Sequence, residues 1–322
     1  MAVYTDLGSE DLARLIAAWD VGTVVSAKGI AEGVSNSNWL IETSGGPQGN
    51  RFILTMYERR IDLADLPFFL GLLDHLAAAG LPVPRTIHDR EGAAFRMVDG
   101  KAVALIEFLP GVSPASPSPE QAFATGAVLA QLHEAGGNYA QMRPNDLSPP
   151  HCAALLQGFD AEALASIDPD LAPMAAEGGR LVELWPDGLP RTVIHSDLFP
   201  DNVLMLGDAV SGLIDFYFSC NDFAAYDLAV THAAWSFDKT GSSYQEAVGE
   251  AVIKGYESVR LLLPEERAAM PLLAQGACLR FVASRTEDWL DVPPGALVTR
   301  KDPMDFVRRL QFYRADGAGL FA

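Results

Sequence analysis

The spacing of apolar and polar positions changes character along the chain. Ser9 stands where a helix N-cap is expected, with Glu10 and Asp11 in the first turn, and the spacing predicts a helix over 10–20. Short β-prone runs follow at Val24–Lys28, Asn38–Thr43 and Phe52–Tyr57, separated by Gly, Ser and Asn, and read as an antiparallel meander. Gly45-Gly46-Pro47-Gln48-Gly49-Asn50 is the loop between the second and third of them. A helix is expected over 65–79, stopped by Gly80 with Pro82 and Pro84 beyond. Strands over 93–98 and 102–108 are joined by a turn at Val98-Asp99-Gly100-Lys101. The Pro/Ser-rich stretch from Pro110 to Pro119 is the clearest linker. Beyond it Ser118, Pro119 and Gln121 carry a capping-box signature. Helical patterns then dominate, at about 119–135, 152–165, 174–185, 224–237, 242–260 and 264–290, interrupted by short strands at 191–194, 202–206 and 210–215. The expected class is α+β: a small antiparallel-sheet N-terminal lobe, 1–108, and a larger, mainly helical C-terminal lobe, 109–322.

Composition narrows the functional classes. With 23 Lys and Arg against 42 Asp and Glu the net charge is −19, which argues against a nucleic-acid binder and requires any anion site to be built locally. Hydrophobic residues make up 49% of the chain, enough for a sizeable core and too many for general disorder. Cys152, Cys220 and Cys278 are far apart, odd in number and without metal-ligand spacing, which fits isolated thiols in a reducing cytoplasm. No signal-peptide pattern opens the sequence and no apolar run approaches the roughly 18 residues of a membrane span.

The stretch with chemical content is Thr192-Val193-Ile194-His195-Ser196-Asp197-Leu198-Phe199-Pro200-Asp201-Asn202-Val203-Leu204, followed by Ser211-Gly212-Leu213-Ile214-Asp215-Phe216. An apolar strand enters a polar loop, re-emerges as a strand, turns, and ends in a second Asp. Phosphoryl transfer needs an in-line acceptor, a group to take its proton and a cation to offset the phosphate charge. Asp197 can orient and deprotonate a hydroxyl. Asn202 and Asp215 offer the hard oxygen ligands that magnesium prefers. His195 reads as a packing and hydrogen-bonding post for the loop. No P-loop or H-E-x-x-H motif is present, which disfavours a P-loop NTPase and a zincin.

These segments and their order resemble the catalytic loop and magnesium-binding Asp of protein kinases, in the variant of aminoglycoside phosphotransferases and choline kinases. Lys28–Asn38, Leu66–Leu72, Ala78–Pro84, His195–Asn202, Gly212–Phe218 and Asp288–Leu297 look like the homoserine kinase branch of that superfamily, almost end to end. The resemblance implies a protein-kinase-like two-lobe fold and ATP-dependent, magnesium-dependent phosphorylation of the side-chain hydroxyl of L-homoserine, a step toward threonine. It implies that Asp197 is the base and that Asn202 and Asp215 hold magnesium. It also implies that Gly33, Ser35, Asn36, Ser37 and Asn38 cover the nucleotide phosphates, and that Glu107, Phe108 and Leu109 in the kinase-hinge position recognise the adenine edge. Asp227 resembles the helix-borne Asp that braces the catalytic loop.

The sequence departs from the kinase pattern at the third strand, where Thr55 stands in place of the usual phosphate-contacting Lys. The following helix offers no clear Glu partner, since Asp74 lies near its end. Phosphate neutralisation is then expected from magnesium and backbone N–H groups, with Lys28, Arg59 or Arg60 as substitutes. For the amino-acid substrate, a bidentate Arg suits the carboxylate, with Arg280 preferred over Arg285, and Asn36, Tyr217 and Asp222 are candidate neighbours. A kinase of another amino alcohol or of an aminoglycoside stays open as an alternative, as does a nucleotide-binding pseudokinase platform. Oligomeric state is not readable from the sequence.

Overall fold

The computed structural model describes residues 8–30, 36–58, 61–291 and 300–321. The chain divides into two compact units: residues 1–111 with 211–217, and residues 112–210 with 218–322. Asp215 and Tyr217 thus belong to the first unit, although the sequence places them a hundred residues beyond the linker.

The first unit is built on a six-stranded antiparallel sheet. Its strands are β1 (Val24–Ile30), β2 (Asn36–Gly46), β3 (Gly49–Tyr57), β4 (Thr86–Ile87), β5 (Arg96–Val98) and β6 (Lys101–Glu107). Their order is β1-β2-β3-β6-β4, with β5 also pairing β6. The Gly-rich loop of the sequence reading is shorter than expected. β2 and β3 extend into it until Gly46 faces Gly49, and Gly45 and Gly49 take positive φ there. The Val98–Lys101 turn forms as expected, with Asp99 and Gly100 both at positive φ. Helix α1 (Ser9–Ile16) contributes Leu12 and Ile16 to a core with Trp19, Trp39, Ile41, Phe52, Leu54, Met56, Ile87, Val103 and Leu105. These sheet residues alternate along their strands, so one face of the sheet is buried. The Trp19 indole N–H donates to the Ile87 carbonyl, 2.7 Å away. Helix α2 (Leu66–Ala78) buries seven apolar side chains, Phe68, Phe69 and Leu72 among them.

The second unit is mainly helical. Its helices are α3 (Pro119–Gly136), α4 (Pro149–Gly158), α5 (Ala161–Ile167), α6 (Met174–Leu184), α7 (Ala224–Trp235), α8 (Glu246–Glu257), α9 (Pro264–Asp291) and α10 (Met304–Leu320). The capping box is present: Ser118 Oγ accepts from Gln121 N and the Gln121 side chain accepts from Ser118 N. The helix expected over 152–165 is two helices. The chain breaks at Phe159, and the Asp160 carboxylate caps the second by accepting from Glu162 N at 2.9 Å. The strands β7 (Arg191–Ile194) and β10 (Cys220–Phe223) pair antiparallel, and β8 (Val203–Leu206) pairs β9 (Ala209–Leu213). Helix α10 and strand β10 are absent from the sequence reading. Strand β10, Cys-Asn-Asp-Phe, carries no β-branched residue to announce itself, and its place is set by pairing with β7.

Candidate functional site

Strand β7 buries Thr192, Val193 and Ile194 and delivers the chain to His195 and Ser196, both fully enclosed. Thr192 Oγ1 donates to the His133 carbonyl of α3, which pins the strand from one side. The next residues are held by α7. Asp227, buried among apolar side chains, accepts from the N–H of His195 at Oδ2 and from the N–H of Ser196 at Oδ1, both at 2.7 Å. Its Oδ2 also meets His133 Nε2 at 3.0 Å, and His133 Nδ1 lies 2.8 Å from the Tyr256 hydroxyl of α8. Burial works to raise the Asp227 carboxyl. The His133 hydrogen bond and charge, with the loop N–H groups, outweigh it and hold Asp227 below its ordinary range.

Ser196 has φ +69°, a left-handed conformation that costs an L-residue about 1–2 kcal/mol. From it Asp197 emerges with its side chain 18% exposed. The His195 ring is the post expected of it: Nδ1 accepts from Asp197 N at 3.2 Å. Burial raises the Asp197 carboxyl above its usual value, opposed first by the Arg280 charge and then by His195 and Lys301. A carboxylate so placed is a stronger base than a solvated one.

A turn over Pro200–Asn202 returns the chain toward Asp197. Asn202 Nδ2 donates to the Asp197 carbonyl at 2.8 Å and reaches Asp197 Oδ2 at 3.3 Å. With its amide nitrogen so engaged, Asn202 Oδ1 accepts no bond from any described residue, and it remains as a hard oxygen donor of the kind magnesium takes. The Trp235 indole donates to the Leu198 carbonyl at 2.9 Å and fixes the middle of the loop.

In the first unit Asp215 is exposed and has φ +65°. Its neighbours are aromatic. Phe216 is buried, and the Tyr217 hydroxyl lies 2.9 Å from that of Tyr57. The Tyr217 ring meets Tyr57 edge-on at 5.5 Å and Phe69 at 5.8 Å. Burial pushes both tyrosine hydroxyls up, and the Asp215 charge adds to it. Asp215 offers a carboxylate, a hard-oxygen group of the kind magnesium takes. Among the described residues no cluster of three or more His, Cys, Asp or Glu forms a protein-only metal cage.

The remaining expected residues fall as follows. Gly33 and Ser35 lie outside the described residues, as do Arg59 and Arg60. Asn36 begins β2, and its Oδ1 is buried with no hydrogen-bond partner among the described residues. Ser37 Oγ donates to Glu58 at 2.9 Å, and Glu58 pairs with Lys101 of β6. Asn38 Oδ1 accepts from Thr55 Oγ1 at 2.9 Å, so the third-strand position is filled by a short polar bridge across β2 and β3. Asp74 serves elsewhere, accepting from Thr86 N and meeting His88 Nε2 at 2.7 Å. Glu107 is paired with Arg85 at 3.0 Å. The Arg51 guanidinium lies 6.0 Å from the Phe108 ring, and the Leu109 N–H has no described acceptor. Asp222 Oδ2 accepts from Asn145 at 2.7 Å, and its Oδ1 lies 3.4 Å from Arg191.

Arg280 of α9 is 1% exposed. It donates through Nη1 to the Ser196 carbonyl and, at 2.9 Å, to Ser196 Oγ, and its Nη2 lies 3.7 Å from Asp197 Oδ1. Sequence reasoning missed this grip, the left-handed Ser196 and the His133–Tyr256 support of Asp227. Each joins residues dozens of positions apart, and no spacing rule reaches that far. The Lys101–Glu58 pair had a local signal: a charged residue opening an otherwise apolar strand just after a turn.

A two-unit α+β chain with a strand–loop–strand bearing Asp197, Asn202 and Asp215 has the form of a kinase-like phosphotransferase. Residues 26–269 match the profile of the phosphotransferase enzyme family. Solved structures share the fold at low identity. The amicoumacin kinase hAmiN, in complex with AMP-PNP and Ca2+, superposes with a TM-score of 0.71 and 13% identity over 96% of this chain and 93% of that one. Spectinomycin phosphotransferase gives 0.71 and 14% over 98% and 100%. Among curated relatives, the homoserine kinase of Xanthobacter autotrophicus is 48% identical over 98% of this chain and 97% of that protein. That of Sinorhizobium fredii is 49% identical over 98% and 95%. The chain belongs to the phosphotransferase enzyme family and, within it, to the homoserine kinases.

Proposed function

We propose that the chain transfers the γ-phosphoryl group of ATP to the side-chain hydroxyl of L-homoserine, giving O-phospho-L-homoserine and ADP, a step of threonine biosynthesis. The observation that carries the substrate is the 48% identity to a homoserine kinase over 98% of the chain. The observation that carries the chemistry is the half-buried Asp197, approached by Asn202 and Arg280 on a loop whose preceding N–H groups are bound by Asp227.

In this reading Asp197 accepts the hydroxyl proton as the substrate oxygen bonds to the γ-phosphorus and the bond to the ADP oxygen breaks. Asn202 Oδ1 and the Asp215 carboxylate would hold magnesium, which when bound would offset the phosphate charge that a chain of −19 with Thr55 in the third strand leaves uncompensated. We assign Gly33, Ser35, Asn36, Ser37 and Asn38 to the phosphates. Glu107, Phe108 and Leu109 receive the adenine, for which the Leu109 N–H is available. Asn36, Tyr217 and Asp222 are the neighbours we assign to the amino-acid end.

We place the reaction in the cytoplasm. Cys152, Cys220 and Cys278 are unpaired and buried, and burial pushes each thiol up to about 12, so they stay protonated and inert. Among the described residues no helix is long and apolar enough to cross a membrane.

Purified protein with ATP and magnesium should release ADP when L-homoserine is added, with a new phosphomonoester seen by phosphorus NMR, and should be silent with choline or kanamycin. Equal turnover of choline would overturn the substrate assignment. Asp215→Asn should raise the magnesium concentration needed for half-maximal rate, and an unmoved magnesium requirement would remove Asp215 as a ligand.

A further inference from the structure

We infer that Arg280 is a positioning residue of the catalytic loop, holding Ser196 in the left-handed conformation from which Asp197 is presented. The inference rests on the phosphotransfer role of Asp197. The two backbone dihedrals of Ser196 lie between two grips. Before them, the Ser196 N–H is bound by the Asp227 carboxylate at 2.7 Å. After them, the Ser196 carbonyl is bound by Arg280 Nη1. The same nitrogen donates to Ser196 Oγ at 2.9 Å, so the side chain is fixed too.

A residue with a Cβ does not rest at φ +69° on its own. One anion on the amide and one cation on the carbonyl over-determine it, which is how strained backbone persists. The guanidinium is itself held between the rings of Phe281, 4.7 Å from the centroid, and Phe218, 5.3 Å away. Its Nε is buried without a hydrogen-bond partner. A buried guanidinium with an unpartnered N–H is a poor stabiliser of the fold. What it supplies is loop geometry. With Nη1 spent on Ser196 and Nη2 facing Asp197 at 3.7 Å, the fork is turned toward the protein's own loop.

The test is a set of variants: Arg280→Met, Arg280→Lys, and each combined with Ser196→Gly. Losing the grip misplaces Asp197, so Arg280→Met should lower kcat by about 10²-fold, the scale of a misplaced reacting group, with KM for homoserine and ATP little changed. Arg280→Lys keeps one donor and should fall between the two; it carries the test should the Met variant fail to fold. Glycine takes positive φ freely, so adding Ser196→Gly should recover about tenfold in kcat in either background. A rise in KM for homoserine with kcat retained would show that Arg280 binds the substrate carboxylate and would overturn the inference. Failure of Ser196→Gly to recover any rate would do the same. Hydrogen exchange at the His195 and Ser196 amides of the ligand-free protein needs no substrate. Faster exchange in Arg280→Met supports the inference even if the wild type phosphorylates some other alcohol, and unchanged exchange overturns it whatever the substrate.

Discussion

Ser196 and Asp215 both take a left-handed backbone conformation without being glycine, at φ +69° and +65°, and each belongs to a loop that carries one of the two key carboxylates. Their surroundings differ in kind. Around Ser196 the neighbours are charged and directional: Asp227 on the amide, Arg280 on the carbonyl, Asn202 on the Asp197 that follows. Beside Asp215 the loop carries rings: Phe216 is buried, and Tyr217 is set edge-on against Tyr57 and Phe69. A base must present its lone pair to one proton within a few tenths of an ångström, and hydrogen bonds fix direction that finely. In the proposed reading Asp215 serves a hard cation, and a carboxylate with two oxygens needs less angular control than a base. The contrast makes the first loop sensitive in rate and the second sensitive in stability.

The largest effect tests the premise. Asp197→Ala should lower kcat by about 10²–10⁴-fold, the usual worth of a general base, with the melting temperature little moved because Asp197 is itself partly exposed. Near-normal turnover would leave the polar grip around Ser196 with nothing to position, and the contrast would lose its meaning.

Asp227→Asn comes next, since it leaves the shape of α7 intact while turning one acceptor into a donor that faces a loop N–H. The lost charge-assisted bonds should destabilise the protein by about 1.5–3 kcal/mol. The displaced loop should also cost about 10–10²-fold in kcat. Steady-state kinetics and denaturant unfolding on one preparation separate the two numbers. Stability lost with kcat intact would mean that the loop keeps its shape without Asp227.

The sequence reading carried the second loop less well than the first, for a physical reason. His195, Asp197 and Asn202 are set out by short-range logic: a strand must end and a polar loop must follow. The spacing therefore anticipated the loop, while its brace, Asp227, came from the resemblance to kinases. Lobe content was legible for the same reason, from the change between β-prone and helical runs and from the Ser118 cap. The ring cluster at Tyr217 joins positions 160 apart, and nothing in a Gly-Leu-Ile-Asp-Phe-Tyr run announces Tyr57 as its partner. Asp215 likewise belongs to the N-terminal unit, next to a buried Phe216, although chain order places it far beyond the linker. Helix α10 buries Met304, Phe306, Val307, Leu310 and Tyr313, a pattern that becomes decisive only once α9 is in place to receive it.

Helix α7 offers a pH-dependent version of the same contrast, through two groups with opposite ionic states. Burial pushes His232 down to about 3, and its Nδ1 lies 2.6 Å from the Tyr313 hydroxyl. It is neutral in the fold and takes a proton when unfolded below about pH 6.5. The unfolded chain then binds more protons, so stability falls as pH drops from 6.5 toward 3, by at most about 1.4 kcal/mol per pH unit for this one group. Asp227 is held below its ordinary range, so its contribution is complete above about pH 4 and fades only below that. His232→Asn should weaken the protein at neutral pH and flatten the slope between pH 6.5 and 4. An unchanged slope in urea unfolding across that window would show that His232 is charged in the fold.

The smallest expected effect sharpens the comparison most, because it concerns the ring-held loop alone. Tyr57→Phe removes the hydroxyl 2.9 Å from that of Tyr217 while keeping the 5.5 Å edge-on packing. The single change should cost about 1 kcal/mol, since the Tyr217 hydroxyl loses one of its two side-chain partners and keeps Thr55. Adding Tyr217→Phe removes the second hydroxyl of the pair, so the two changes should cost less than the sum of the single ones, with a coupling of about 0.5–1 kcal/mol. Through this loop's tolerance of small angular error, Tyr57→Phe should move kcat by less than about threefold, under half of the 1.36 kcal/mol that a tenfold change represents. Denaturant unfolding of the two single variants and the double one gives the coupling, and initial rates on Tyr57→Phe give the other half. A rate loss on the scale expected for Asp227→Asn would mean that the Asp215 loop needs directional control after all, and that the two left-handed residues differ in partners but not in what is asked of them.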